Sequence, residues 1–370
     1  MTVRHRRVNR LESSASPVKT VEDDRPEEGW RRVAEVVDEA QSRVWSKTKG
    51  LSPLVQLSGV AVCYLIHSLT LSRGCLAFPV QLVPNDAGLF QSVGYDSLAG
   101  LAVVFLRGAH LMNRKRPKQD LPWSWSWKKP SKRRLMIVVT LLLAAYLGSG
   151  LASMAVDDLL YDAVEYDNLD ISNAMHRSIQ VLASHLTWVI AGAAVLRATV
   201  DGFFRKKKKQ QWFRLKFKED WALWAIGGYF FSWLAFNTAD AFNTLILPEA
   251  LRSGDEDGVV SQMLNTDDSS IAAMATGAIA PCLSAPWWEE CVYRGFLLPA
   301  LAAHTPLNFA IPASAVLFSA HHWTLSAALP LAVLGFIWAL VYVQSRNLLV
   351  TILIHAMWNT RVFLGAFFGF

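Results

Sequence analysis

The chain has 370 residues, of which 52% are hydrophobic and 18% charged, with a formal net charge of +6. The Lys and Arg residues stand in clusters between apolar runs, where they set topology, so the charge does not suggest nucleic acid, and no nucleic-acid partner is expected. The four cysteines, Cys63, Cys75, Cys282 and Cys291, lie mostly inside apolar segments without Cys-x-x-Cys spacing, and they offer neither a disulfide framework nor a zinc site.

Residues 1 to 26 are polar, first basic (Arg4, Arg6, Arg7, Arg10) and then rich in Ser and acid. Nothing there is apolar enough for a signal-peptide core. The basic start is compatible with the end of an organellar transit peptide, but Asp23, Asp24, Glu27 and Glu28 interrupt that pattern, and a plain flexible terminus accounts for it as well. From Glu28 to Ser46 the spacing of Trp30, Val33, Val36, Val37, Val44 and Trp45 predicts an amphipathic helix, lying on the membrane surface, on a partner, or on its own protein.

Apolar runs at 51 to 70, 93 to 112, 136 to 156, 178 to 200 and 221 to 246 follow. Each is long enough to cross a hydrocarbon core of about 30 Å at about 1.5 Å per residue. Their loops alternate in charge. Loops 113 to 135 and 201 to 220 are basic, the second through the run Arg205 to Lys209, whereas loops 157 to 177 and 247 to 270 are acidic. The basic loops are expected on the protein-synthesising side, and Trp123, Trp125, Trp127, Trp212 and Trp221 stand near the boundaries as interfacial anchors.

The last third is denser, with apolar stretches at 271 to 303, 307 to 323, 325 to 344 and 348 to 369 separated by short connections. Short connections imply packed antiparallel neighbours. The expected fold is all-α, a polytopic transmembrane bundle of about eight or nine membrane helices with an intramembrane cavity. Three segments are expected: a tail and amphipathic helix at 1–50, a transmembrane region at 51–270, and a helical core at 271–370.

Within that core, Glu289, Glu290 and Arg294 interrupt an apolar run just after Pro281 and Pro286, which are expected to break or kink the helix and open a cavity. On a helix, Glu290 and Arg294 share a face and suit a charge-assisted pair, while Glu289 is turned about 100° away and is free for chemistry. Phe318 and His322 are four apart, as are His355 and Asn359. A carboxylate and a histidine from different helices can deprotonate a water molecule, and a second His with an Asn can stabilise an oxyanion, which describes amide hydrolysis. His321 reads as an ordinary helix-to-helix contact. Two His and two Glu are also possible zinc ligands, although no His-Glu-x-x-His is present.

Glu289-Glu290-x-x-x-Arg294-Gly295, Phe318-x-x-x-His322 and His355-x-x-x-Asn359, in that order over residues 271 to 369, resemble the CAAX protease and bacteriocin-processing family, which includes the type II CAAX prenyl endopeptidases. The resemblance implies a metal-independent glutamate protease without cofactor. It assigns Glu289 as the base that activates water, His322 as its assistant, His355 and Asn359 as the oxyanion hole, and Glu290, Arg294 and Phe318 as support. The wording around the motifs, including Gln344-Ser345-Arg346-Asn347-Leu348-Leu349, is similar to the plastid and cyanobacterial branch. Some members there are thought to stabilise other membrane proteins rather than cut them.

Two functions therefore stand open: an intramembrane endopeptidase acting on a peptide or protein near the lipid surface, and a non-catalytic scaffold of a plastid membrane that binds a protein complex through the N-terminal half. A proton-coupled transporter lacks the internal repeat it would need.

Overall fold

The computed structural model describes residues 26–48, 50–77, 92–113, 121, 123–125, 130–166, 169–204, 210–217, 220–248, 251 and 270–368. The polar tail, most of the basic residues of both basic loops, Trp127 and the acidic residues of loop 247 to 270 lie outside them.

The described chain is helical almost throughout. Helices α1 (Pro26–Thr48), α2 (Pro53–Leu69), α3 (Tyr95–Asn113), α4 (Lys132–Glu165), α5 (Asn173–Thr199) and α6 (Trp221–Ile246) precede a rod of consecutive helical pieces. The rod comprises α7 (Ile271–Ala278), a π-helical segment Ile279–Ser284, α8 (Ala285–Glu290), a second π-helical segment Cys291–Leu297, and α9 (Leu298–Ala302). Then come α10 (Leu307–Ala320), α11 (Ala328–Ser345) and α12 (Leu348–Phe368). Two short antiparallel strand pairs, Cys75–Ala77 with Ser92–Gly94 and Ser124–Trp125 with Gln210–Gln211, tie connections together.

Local sequence sets several helix starts. Ser52, Ser131, Ser172 and Ser270 each accept a hydrogen bond from the backbone N–H three residues on, which satisfies a donor that the first turn leaves open. Among the described residues, five helical segments are long and apolar enough to cross a membrane: Pro53–Arg73, Lys132–Glu165, Asn173–Thr199, Ala328–Ser345 and Leu348–Gly365. The other expected spans are helical too, but α3 and α6 fall outside that set, the rod is interrupted, and α10 is short.

α4 and α5 form a long antiparallel hairpin, α3 and α11 pack on α6, α12 packs on α6 and on the rod, and α5 lies along α7. The amphipathic α1 packs against α3, and Gln41 Nε2 donates to the Leu106 carbonyl at 3.1 Å, while Val33, Val36 and Val44 stay exposed. The core lies among α5, α6, the rod and α10 to α12. Its fully buried large side chains include Trp221, Trp288, Trp338, Tyr229, Tyr342, Phe296 and Phe318, with one cation, Arg294, among them.

Candidate active site

The sequence predicts a break or kink at the prolines, and the α-helix gives way there to the π-helical segment Ile279–Ser284. The rod stays helical and widens. At the end of the first π-helical segment the Ala285 N–H bonds to the Ala280 carbonyl, five residues back. The next bond in that register would run from residue 286 to the Pro281 carbonyl, but Pro286 has no N–H. Asn359 of α12 supplies the missing donor, its Nδ2 lying 2.8 Å from the Pro281 oxygen. The side chain thus satisfies a carbonyl that the proline orphans.

Just beyond, Glu290 and Arg294 meet at 2.7 Å, with 0% and 1% of their side chains exposed. Charges so deep need every partner they can find. Arg294 Nη2 donates to the Gly335 carbonyl at 3.0 Å, and the guanidinium stacks over Phe318 at 4.6 Å and lies 5.4 Å from the Trp338 ring. Gly335 lets α10 pack close on α11: a Cβ there would lie 3.1 Å from the Ala315 backbone and from Phe318. Glu290 Oε1 also faces His355 Nδ1 at 3.2 Å, and since the paired carboxylate can only accept, Nδ1–H is the donor.

Glu289 is handled differently. Its Oε1 lies 3.7 Å from His321 Nε2 and its Oε2 3.9 Å from His355 Nε2, too long for direct hydrogen bonds. Oε2 has no hydrogen-bond partner within the protein. His321 and His322 both direct Nδ1 to the Phe318 carbonyl, at 2.8 and 2.9 Å, so each Nδ1 carries a proton, and a ring that carries no second proton keeps Nε2 as an acceptor. A carboxylate ringed by acceptor nitrogens fits a molecule that brings donors, as water does. Glu289, His321 and His322 each offer one ligand atom, all within 4.8 Å of one another, so this trio is also where a metal ion could be held.

The structure thus brings Glu289, Glu290, Arg294, Phe318, His322, His355 and Asn359 into one neighbourhood, with His321, read from the sequence as an ordinary contact, against the Glu289 carboxylate. Glu289 is only 6% exposed and His355 2%, while His321 and His322 are part-buried.

Residues that sequence reasoning passed over complete the walls. Tyr146 of α4 donates to the His321 carbonyl at 2.9 Å, and the ring of His321 packs against those of Tyr146, Trp188 and Tyr293. His185 of α5 is 2.8 Å from the Ser284 hydroxyl. Trp288 lies so close over Gly192 of α5 that a Cβ there would fall 2.3 Å from the indole. His185 in an apolar run was a visible signal, but the aromatic contacts are long-range and left none.

Residues 271–361, which hold every one of these motif residues, match the family model described as Type II CAAX prenyl endopeptidase Rce1-like. That stretch is similar to this family. The chain is also 26% identical over 140 residues to "Putative membrane peptidase YdiL" of Bacillus subtilis (strain 168). The aligned part covers 38% of this chain and 54% of that relative, so the likeness spans about half of the relative's length. No solved structure matches the chain. An Rce1-like segment joined to several long apolar helices makes this an integral membrane protein.

Proposed function

We propose that the protein is an intramembrane, glutamate-dependent endopeptidase that hydrolyses a peptide bond near the membrane surface. One observation carries the reading: of two adjacent buried carboxylates, Glu290 is held by Arg294 at 2.7 Å, whereas Glu289 is left facing imidazole nitrogens at 3.7 and 3.9 Å. A carboxylate kept unpaired at such a site is available as a base.

In this reading Glu289 takes a proton from water while the oxygen adds to the scissile carbonyl carbon. His322 assists by accepting the water's other hydrogen at Nε2, which orients it. The oxyanion receives the second N–H of Asn359 and, once His355 is protonated, its Nε2–H, because the Nδ1–H is already given to Glu290. Collapse re-forms the carbonyl, breaks the C–N bond and passes the proton from Glu289 to the leaving amine. No metal takes part, and cleavage is expected to persist in excess chelator. The Lys and Arg asymmetry of the loops supports a stromal or cytoplasmic position for the basic side, and the motif wording supports a plastid membrane.

The test is cleavage of a quenched-fluorescence peptide by purified protein in nanodiscs, together with membrane proteomics for an accumulating precursor. Glu289→Gln is expected to lower the rate by about 10²- to 10⁴-fold with unchanged thermal unfolding. Wild-type turnover by Glu289→Gln would refute the assignment.

A second reading, a scaffold that stabilises a membrane partner, rests on the exposed Val33, Val36 and Val44 of α1. It predicts a co-purifying protein that is lost on deleting residues 1–50 and retained in Glu289→Gln.

A further inference from the structure

Away from Glu289, a second polar site occupies the turn between α11 and α12, within the Gln344 to Leu349 wording that the proposed chemistry leaves unused. Residues 213 to 217 run past this turn and are fastened to it through Asn347, which is buried. The Lys216 N–H donates to Asn347 Oδ1 at 3.0 Å, Asn347 Nδ2 donates to the Lys216 carbonyl at 2.7 Å, and the Leu348 N–H donates to the Arg214 carbonyl at 2.7 Å. A side-chain amide thus copies a two-hydrogen-bond bridge between strands, which fixes both backbones.

This frame surrounds a cavity of about 130 Å³. Arg214, Lys216 and Arg346 line it, with Trp221 and Trp224 from the start of α6. Among the described residues, the one carboxylate in the lining, Asp220, accepts from Trp224 Nε1 at 2.9 Å. Among the described residues, none of the three cations has a side-chain hydrogen bond or an ion pair within the protein. A fourth guanidinium, that of Arg107, lies 4.8 Å from the Trp224 ring. Arg346 is held in the left-handed region at φ 55°, a conformation that disfavours any residue with a Cβ. Three unpaired cations on a rigid frame repel one another, and an anion with several acceptor oxygens relieves that repulsion.

We propose that this cavity is a binding site for a phosphate group, gripped by Arg214, Lys216 and Arg346. Two sources carry that chemistry: the headgroup of an anionic phospholipid and a soluble phosphate compound. Two tryptophans in the wall, at the start of α6, are the residue type that settles at headgroup level. Clustered Lys and Arg beside a membrane attract anionic lipid there.

The test uses the full chain in nanodiscs of phosphatidylcholine with or without phosphatidylglycerol, with native mass spectrometry counting retained lipids. Arg346→Gly is the informative variant, because it removes the charge while giving the left-handed position its preferred residue, so the fold is not weakened. Wild type is expected to retain phosphatidylglycerol over phosphatidylcholine, with about a tenfold loss in Arg346→Gly and again in Arg214→Gln, each removing one charge-assisted contact. A parallel arm adds inorganic phosphate to lipid-poor detergent samples. Thermal protection in wild type that fails in both variants, without selective lipid retention, assigns the site to a soluble phosphate compound. Lipid retention and phosphate protection that are both unchanged in the two variants would overturn the proposal. The result does not depend on peptidase activity.

Discussion

The first half of the bundle and its last third are both apolar, yet they bury that character differently. In the spans of α2, α4 and α5 only 22%, 17% and 22% of the residues are buried, against 44% and 50% in α11 and α12. Outward leucines of α4 such as Leu143, Leu147 and Leu151 remain exposed, as suits a surface that lipid can wet. The last third has to enclose Glu289, Glu290, Arg294 and His355, and buried charge is tolerated only where protein groups replace water. Hydropathy is therefore similar in the two regions while packing is not, and the difference marks where the buried charges lie.

The sharpest way to break this comparison is Arg294→Met. It leaves Glu290 charged and without its cation in the core and is expected to cost about 3–5 kcal/mol, read as lost unfolding free energy in detergent. Glu290→Gln combined with Arg294→Met is expected to cost less than the single change, because the orphaned charge goes with its partner.

Glycines sharpen the contrast next. Gly192→Ala drives a methyl into Trp288 and is expected to cost about 1–3 kcal/mol, whereas a Cβ at Gly150 of α4 meets nothing within 4 Å. Gly150→Ala is accordingly expected to stabilise by about 0.5–1 kcal/mol, and paired thermal melts check the opposite signs.

The Pro281 carbonyl allows a finer test. Asn359→Leu removes its donor and is expected to cost about 1–3 kcal/mol, and Pro286→Ala, which restores a backbone N–H in register, is expected to recover part of that loss. Additive effects in the double-mutant cycle would show that the two residues do not share this carbonyl. The smallest effect is predicted on the lipid side, where Leu151→Ala should lie within about 0.5 kcal/mol of wild type.

Much of the site was legible because charge in an apolar run is costly and therefore visible. Glu289, Glu290 and Arg294 stood out on that ground, and the four-residue spacing of Glu290 and Arg294 matches the 2.7 Å pair. The relation of His321 to His322 was not legible. Neighbouring histidines differ by about 100° on a helix, but these two sit where α10 has ended, and there both rings turn back to one carbonyl. The response of the rod to its prolines was hidden too. A proline removes one donor wherever it stands, but whether the helix kinks or widens depends on what else reaches the free carbonyl, and here that group is Asn359, 78 residues away in sequence.

Sequence by itself determined that this is a helical membrane protein with a polar cluster in its last third, because both conclusions follow from local hydropathy and spacing. Tertiary structure alone decided which imidazoles face Glu289, and that Tyr146, Trp188 and Gly192 of α4 and α5 pack around them. Those facts depend on which helices touch, and in an apolar bundle that is settled by the shape of packed side chains, to which a hydropathy pattern is blind.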